Sequence, residues 1–324
     1  ARLQEIDRRV PPARATVAPP GAWAVAATIE GPRGTAAIGT GRDGTSPGER
    51  RLVRIDGTPA RSQGALAEHL SLIWLTPQMD RLFIEGTGAR RRFLDRLVYG
   101  FDPGHAHRVS AYEQAMRERA RLLADERAAD PAWLGALEKR MAEHGIAVAA
   151  ARRETVLRLD AATAARQGTF PAARLALQGG IESWLEGKPA LEAEEDFARR
   201  LAALRRADAA AGVTTLGPHR ADLAVHHGQT HMIAAQCSTG EQKALLIGIV
   251  LAFAELMARR RGDVPLLLLD EVAAHLDAPR RDALYAEVAA LGGQAWLTGT
   301  DAALFQGLSG IAQFLTVADA VITS

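Results

Sequence analysis

The chain has 324 residues, 48% of them hydrophobic, which is enough apolar material for more than one packed core. Its formal net charge of +1 excludes the uniform positive field of a histone-like protein, so any contact with nucleic acid depends on local basic patches. Cys237 is the single cysteine, which excludes a disulfide framework and a cysteine-built zinc site and favours the reducing cytoplasm. No apolar run approaches the ~20 residues of a membrane-spanning helix, so no membrane partner is expected.

The first hundred residues predict a mixed β lobe. Segments 23–29 and 51–55 have strand character and are separated by turns rich in glycine, proline and aspartate. The apolar run at 71–75 predicts a buried strand that leads into Thr76, Pro77 and Gln78. Gln78 therefore stands in a turn at the end of that strand, either as a functional amide or as an ordinary polar turn residue.

Three consecutive arginines, Arg90, Arg91 and Arg92, open a predicted helix. The helix dipole disfavours cations at this end, so their placement indicates contact with an anion, either DNA phosphate or nucleotide. The alternative is a solvated helix face, with the apolar residues that follow the triplet turned inward.

Helical spacing of apolar residues dominates from about 107 to 212. It predicts two antiparallel helices, interrupted at Asp130-Pro131, and further helix over 191–211. The segment 170–180 between them is either a strand or a turn. Arginines alternate with acidic residues along the outer faces, which favours a solvated arm over a DNA-binding one.

Residues 213–236 predict a return to β structure. Strands are expected over 213–216, 221–226 and 230–235, with His227-Gly228 as a turn. His219 and Arg220 follow Gly-Pro in a constrained loop, for which a structural role is the default interpretation.

A long helix is predicted to begin at Ser238. Ser238 and Glu241 have the spacing of a capping box, with Ser238 as N-cap and Glu241 at the third helical position. Apolar residues then keep helical spacing until three arginines and Gly262, which suit a helix C-terminus. The start of such a helix presents free backbone N–H groups and favours an anion.

A buried strand is predicted next, because four leucines at 266–269 end at Asp270 and Glu271. Ligands in open α/β sheets bind beyond the carboxyl ends of strands, which places both acids where chemistry would occur. Asp277 is expected to N-cap a following helix. A last strand over 294–298 leads to Thr300 and Asp301.

In this order, the motifs resemble the ATPase core of the ABC/SMC superfamily. Residues 238–242 resemble its signature motif, 266–271 its Walker B strand and 275–277 its D-loop. With ARRRFLD at 89–95, LGPHRADL at 216–223 and TGEQKALL at 239–246, the chain resembles the RecF family of SMC-like proteins over essentially its whole length. The resemblance implies an α/β P-loop NTPase head with a mixed sheet and an inserted helical arm. The expected lobes are 1–106, 107–212 and 213–324, the first and last forming the ATPase head.

The resemblance also implies roles for individual residues. Asp270 would hold Mg²⁺ and Glu271 would act as general base on the water that attacks ATP, while Gln78 would link both to the helical lobe. Asp277 would lie across a dimer interface. The signature residues would bind the partner subunit's nucleotide in trans; they are Ser238, Thr239, Gly240, Glu241 and Gln242.

One departure concerns the last strand. The superfamily often has a histidine after it, and here Thr298, Gly299, Thr300 and Asp301 stand there instead. Thr300 and Asp301 are therefore the candidates for the γ-phosphate sensor.

The function implied by the resemblance is that of a recombination mediator. Such a protein is an ATP-dependent homodimer and a slow ATPase that binds DNA at single-strand gaps and junctions. With RecR and RecO it helps to load RecA during DNA repair and replication restart.

None of the three lysines, Lys139, Lys188 and Lys243, stands in a G-x-x-x-x-G-K-[ST] phosphate loop. The pattern predicts that an upstream strand–loop–helix unit completes the head, and that the chain alone is inactive as an ATPase. Two other classes stay open. One is another ABC/SMC-type head, such as the ATPase subunit of a transporter, and the other is a DNA-binding scaffold that works without nucleotide.

Overall fold

The computed structural model describes residues 22–31, 34–42, 51–60, 63–125, 130–262, 264–319 and 321–323. They divide into two compact units, the first ending at Ser71 and the second beginning at Leu72. The lobe boundaries expected at 106 and 212 stay a prediction. No helix in the described ranges is both long and apolar enough to cross a membrane.

The first unit contains an antiparallel sheet of β1 (Trp23–Gly31), β2 (Gly34–Arg42), β3 (Leu52–Ile55) and β4 (Thr58–Pro59), paired in that order. Asp56 and Gly57 connect the last two strands with φ angles of 49° and 76°, as a tight hairpin turn requires. The strands expected at 23–29 and 51–55 are confirmed. The second strand was not predicted because its glycine-rich sequence carries little β-branched signal.

The second unit holds the remaining elements. In chain order they are β5 (Leu72–Leu75), α1 (Thr87–Phe101), α2 (His105–Ala124), α3 (Pro131–Ala165), β6 (Ala173–Gln178), α4 (Gly180–Trp184), α5 (Ala190–Ala203), α6 (Arg205–Ala211), β7 (Asp222–His227), α7 (Thr239–Arg261), β8 (Leu266–Asp270), α8 (Ala278–Ala290), β9 (Ala295–Thr298), β10 (Thr316–Ala318) and β11 (Val321–Thr323).

A parallel sheet in the order β5-β8-β9 positions the candidate site. Leu75 pairs with Leu269, and Asp270 pairs with Thr298, so the carboxyl ends of all three strands lie at one edge. The strands expected at 71–75, 266–269 and 294–298 are confirmed, although burial alternates along β5 and β8 and no residue of β9 is fully buried. Helix α7 is buried along an uninterrupted run from Gln242 to Ala254, and its apolar side chains form the main core with those of the sheet.

The helical arm has a second core. Helices α2 and α3 pack side by side, as predicted, and α3 extends for 35 residues. Arg119 is completely buried in this core, where its guanidinium binds Glu138 at 3.0 Å, Asp208 at 2.7 Å and the carbonyl oxygen of Leu201 at 2.7 Å. Such a buried cation is tolerated because every side of its guanidinium meets an acceptor.

Arg166 joins the end of α3 to helices α7 and α8. It directly succeeds α3, and its guanidinium donates to both Glu255 of α7 and Glu287 of α8. The end of the arm is thereby fixed against the helix that starts at the capping box and the helix that starts at Asp277.

The β structure predicted over 213–216 and 230–235 is wrong. Segment 213–216 forms no strand because its backbone groups bind side chains: Thr215 N–H donates to Asp208 at 3.0 Å, and His219 Nε2 lies 2.8 Å from Thr214 O. The second segment keeps only an isolated bridge between His226 and Ile233. The structural role expected for His219 is supported by its second contact, to the Tyr112 hydroxyl at 2.7 Å.

Candidate functional site

The site is built at the start of α7, where the predicted capping box is confirmed. Glu241 N–H donates to Ser238 Oγ at 3.4 Å, and Ser238 N–H donates to Glu241 Oε2 at 2.9 Å. The hydrogen bonds from Ser238 lower the pKa of the Glu241 carboxyl. Ser238 and Thr239 are exposed, so the start of this 23-residue helix presents backbone N–H groups to the outside.

Gly240 stands in open surroundings within the protein. A Cβ built at this residue would meet only Arg280 Nη1, at an ordinary contact distance of 3.7 Å. Gln242 lies on the inner side of the same turn, where its amide donates to Cys237 O at 2.8 Å. The predicted roles of both residues toward a nucleotide stay predictions, and the contact of Gln242 fixes the loop before the helix.

The two acids at the end of β8 are exposed and share one neighbour. The hydroxyl of Thr298 donates to Asp270 Oδ1 at 2.5 Å, and the same oxygen accepts Glu271 N–H at 3.2 Å. Glu271 has a φ of 52°, a left-handed conformation that costs about 1 kcal/mol or more for a residue with a Cβ. The strand end therefore holds Glu271 in a strained backbone geometry beside Asp270.

Thr298 was not singled out from the sequence, and the sensor roles predicted for Thr300 and Asp301 stay predictions. Thr300 is exposed, and the Asp301 carboxylate accepts Ala303 N–H at 2.8 Å, which caps the turn Ala302–Leu308. The signal that points to Thr298 is the strand register, because only that residue pairs directly with Asp270.

Gln78 is exposed in the 3-10 turn Pro77–Arg81 that follows β5. The strand order brings this turn to the same sheet edge as Asp270 and Glu271. Two further residues here were not predicted: Asp80 of the turn accepts from Lys243 of α7 at 3.3 Å, and Lys243 Nζ also lies 3.5 Å from Glu271 O.

Asp277 caps α8, as predicted, by accepting Arg280 N–H at 2.8 Å. Its carboxylate is 57% exposed, so part of it faces outward while it caps the helix. The predicted position of Asp277 at a dimer interface stays a prediction.

The arginine triplet divides into three environments. Arg90 binds both carboxylate oxygens of Asp222 at 2.8 Å, and the hydrogen bond to Asp222 raises the pKa of Arg90. Arg91 donates to Ala221 O at 2.8 Å, and burial, together with the nearby positive charge of Arg152, lowers its pKa. Arg92 is exposed. Of the three, Arg92 is the guanidinium most open to an outside anion.

The oxygen atoms at the sheet edge suit a small hard cation. The described residues contain no group of three or more His, Cys, Asp and Glu side chains placed to hold a metal ion. Mg²⁺ does not need such a group, since it commonly keeps several waters and binds one or two carboxylates plus substrate phosphates. Asp270, exposed and next to the Thr298 hydroxyl, fits that requirement.

No family model matches the chain. The chain is similar to the DNA replication and repair protein RecF of Rhizobium meliloti strain 1021, at 49% identity over 307 residues, 94% of this chain and 82% of the relative. It is 52% identical to RecF of Mesorhizobium japonicum over 301 residues, 92% of this chain and 79% of the relative.

Two solved structures are similar in fold. The recombination mediator protein RecF-ATPrS in the RecFOR pathway matches with a TM-score of 0.78 and 19% identity, over 92% of this chain and 79% of that chain. The RecF-ATP structure in the same pathway gives a TM-score of 0.76 at 19% identity, over 93% and 79%. At this identity the likeness shows the fold, and the predicted α/β fold class is confirmed.

Proposed function

The chain belongs to the RecF family of DNA replication and repair proteins, and from that membership we propose that it is a recombination mediator that binds ATP and DNA. It acts as an ATP-dependent homodimer at single-strand gaps and junctions, where with RecR and RecO it helps to load RecA. The observation that carries the proposal is the meeting of Asp270, Glu271 and Thr298 at one sheet edge. The capped start of α7, where Ser238 and Thr239 are exposed, would supply the second half of a nucleotide site.

Asp270 would bind Mg²⁺, directly or through water, and the ion would neutralise charge on the β- and γ-phosphates. Glu271 follows Asp270 at the same strand end and would accept a proton from the attacking water as general base. Thr298 holds the Asp270 carboxylate and the Glu271 backbone in one arrangement. Gln78, in the turn after β5, would orient the water from the neighbouring strand.

The start of α7 would serve the other subunit. Its exposed backbone N–H groups and the Ser238 hydroxyl favour an anion. Space for that anion is left at Gly240, where only Arg280 Nη1 lies within contact distance. We infer that this surface closes on the γ-phosphate of ATP held by the partner, with Asp277 at the same interface. Hydrolysis then removes the γ-phosphate that both subunits contact, and the dimer dissociates. A slow ATPase is sufficient for this role, because hydrolysis serves only to release the dimer.

DNA contact is assigned to the basic end of α1. Arg92 supplies an exposed guanidinium, and Arg91 lies beside it with part of its fork directed to Ala221 O. Arg90, held by Asp222, would act by ordering this end of the helix. Arginine side chains of this kind bind phosphates in pairs of hydrogen bonds and need no base contact.

The experiment that tests the function is Glu271→Gln in the full gene product. The variant keeps Asp270 and loses the base, so ATP binding should persist while single-round hydrolysis falls by about 100-fold or more. ATP-bound dimers should accumulate on gapped DNA in an electrophoretic assay. Glu195→Gln, an exposed residue of α5, is the matched control and should behave as wild type. Hydrolysis unaltered in Glu271→Gln would remove Glu271 from its role.

A further inference from the structure

Lys243 is a buried lysine on the second turn of α7. Its side chain is 7% exposed, whereas that of Lys188 on the arm is 38% exposed. An ammonium group is costly to bury unless acceptors replace its hydration. The acceptors that Lys243 meets therefore explain its position.

Those acceptors come from two other segments. Asp80 Oδ2, in the turn that carries Gln78, lies 3.3 Å from Lys243 Nζ, and the carbonyl oxygen of Glu271 lies 3.5 Å from it. The lysine thus joins the first turns of α7 to the turn after β5 and to the end of β8. These are the three segments that carry the predicted signature motif, Gln78 and the predicted Walker B acids.

The contact with Glu271 falls on a strained backbone. Glu271 has a φ of 52°, which a residue with a Cβ adopts only when its surroundings impose it. Its N–H is held by Thr298 Oγ1 at 3.2 Å, and its carbonyl oxygen is approached by Lys243 and by Ala274 N–H at 3.3 Å. Both backbone polar groups of Glu271, its N–H and its carbonyl oxygen, are thereby engaged.

We propose that Lys243, with Asp80, is a positioning residue that sets the backbone of Glu271 according to the position of α7. The proposal rests on the function proposed above, in which Glu271 is the general base. A displacement of the first turns of α7, as the partner's nucleotide closes on Ser238, moves Lys243 with it. Because the ammonium contacts the Glu271 carbonyl directly, the same displacement changes where the Glu271 carboxylate points.

The charge of Lys243 is needed for this role, and its length alone is not enough. Methionine fills a similar volume but has no N–H donor, so Asp80 and the Glu271 carbonyl lose their common partner. Asp80 is 31% exposed and can turn to water, which allows the variant to fold. Arginine keeps the charge and the donors, although its fork is larger than an ammonium.

The test compares Lys243→Met, Lys243→Arg and Asp80→Asn in the full gene product, with steady-state ATP hydrolysis in the presence of DNA. Lys243→Met is expected to lower kcat by about tenfold or more while KM changes by less than about threefold, as for an interaction that acts on the chemical step. Lys243→Arg should recover part of kcat. The Lys243→Met/Asp80→Asn double variant should be no slower than Lys243→Met, since the two residues act together. Lys188→Met is the matched control and should leave kcat unchanged.

The outcomes separate this inference from the proposed function. The proposed function fails if wild-type protein does not hydrolyse ATP, or if Glu271→Gln leaves that hydrolysis unchanged. If that hydrolysis is present and kcat of Lys243→Met stays within about twofold of wild type, the positioning role of Lys243 is refuted. Urea unfolding of every variant accompanies the kinetics. Should Lys243→Met fail to fold, Asp80→Asn decides, and an unchanged kcat in Asp80→Asn overturns the proposal.

Discussion

Thr298 and Asp270 share a hydrogen bond of 2.5 Å across the pair of parallel strands β8 and β9, with the threonine hydroxyl as donor. The hydroxyl oxygen in turn accepts Glu271 N–H at 3.2 Å. One side chain therefore contacts the carboxylate of Asp270 and the backbone of Glu271, although it lies 28 residues beyond Asp270 in the chain. This relationship makes Thr298 a residue whose removal should be visible in hydrolysis.

Thr298→Val should lower the rate constant of ATP hydrolysis by about twofold to tenfold, because a partly exposed hydrogen bond of this kind contributes about 0.5–1.5 kcal/mol. Valine keeps the β-branched shape that suits the strand, so the sheet should stay intact. The measurement is single-turnover hydrolysis in the full gene product. Thr35→Val, an exposed strand threonine of the first unit, should match wild type. A larger loss in Thr300→Val than in Thr298→Val would instead support the sensor role predicted for Thr300.

The main elements around the site follow from local sequence signals. The apolar runs of β5 and β8 and the capping residues of α7 and α8 predicted those elements, since both signals are encoded within a few residues. The burial expected on both faces of β8 is complete on one face only, because buried and half-buried residues alternate along the strand. The predicted caps Ser238 and Asp277 are the caps that the structure has.

What the sequence did not reveal depends on pairing between distant segments. The contact of Thr298 with Asp270 is decided by the register of β8 and β9, and no local pattern states that register. Lys243 was not singled out because lysine on a helix is usually solvent-facing, and only the packing of α7 over Asp80 and Glu271 buries it. Segment 213–216 has β-forming residues, yet contacts with Asp208 and His219 replace its ladder.

Asp95 gives a prediction about pH. Arg152 donates to both of its carboxylate oxygens, at 2.7 and 2.8 Å, and His105 Nε2 lies 2.7 Å from it. Burial raises the pKa of Asp95, but the hydrogen bonds from His105 and Arg152 lower it more, so the net pKa is below the ordinary value. Asp95→Asn should reduce the free energy of unfolding by about 3–5 kcal/mol at neutral pH, because the side chain of Arg152, 5% exposed, loses its partner.

The stability that Asp95 supplies is fully present above its unfolded-state pKa of about 3.9 and is lost as pH falls through its lower folded-state pKa. The difference between wild type and Asp95→Asn in urea unfolding should therefore be constant near neutrality and narrow only below about pH 4. Glu154→Gln removes an exposed ion pair with Arg158 on the same helix as Arg152 and should change stability by at most about 0.5 kcal/mol. A difference for Asp95→Asn that is independent of pH down to acid unfolding would contradict this account.

Arg92 should affect DNA binding without affecting stability. Arg92→Ala is expected to weaken binding to gapped DNA and to reduce the slope of log affinity against log salt by about one for a lost phosphate contact. Arg90→Ala should lower stability instead, because it leaves Asp222 and the carbonyl oxygens of Phe83 and Glu85 without their donor. Arg117→Ala on α2, 63% exposed, is the matched control. An unaltered salt slope in Arg92→Ala would assign Arg92 to a solvated helix face.

Gly240 allows stability and dimer formation to be separated. Alanine at this position meets only Arg280 Nη1 at 3.7 Å, so it fits within the subunit and should raise the free energy of unfolding by up to about 1 kcal/mol. If the start of α7 closes on the partner's γ-phosphate, the same methyl group stands between the backbone N–H groups and the phosphate. Gly240→Ala should then weaken the ATP-dependent dimer by about tenfold or more, which corresponds to about 1.4 kcal/mol.

Sedimentation of the full gene product with Mg-ATP measures the dimer, and urea unfolding measures stability in the same preparation. Gly135→Ala on α3 is the matched control, since its Cβ also meets open surroundings, with Arg205 Nη2 at 4.0 Å. That control should show the small gain in stability and an unchanged dimer. A Gly240→Ala protein that is as stable as expected and dimerises like wild type would show that no phosphate approaches this turn, and the action of Ser238 and Gly240 in trans would have to be abandoned.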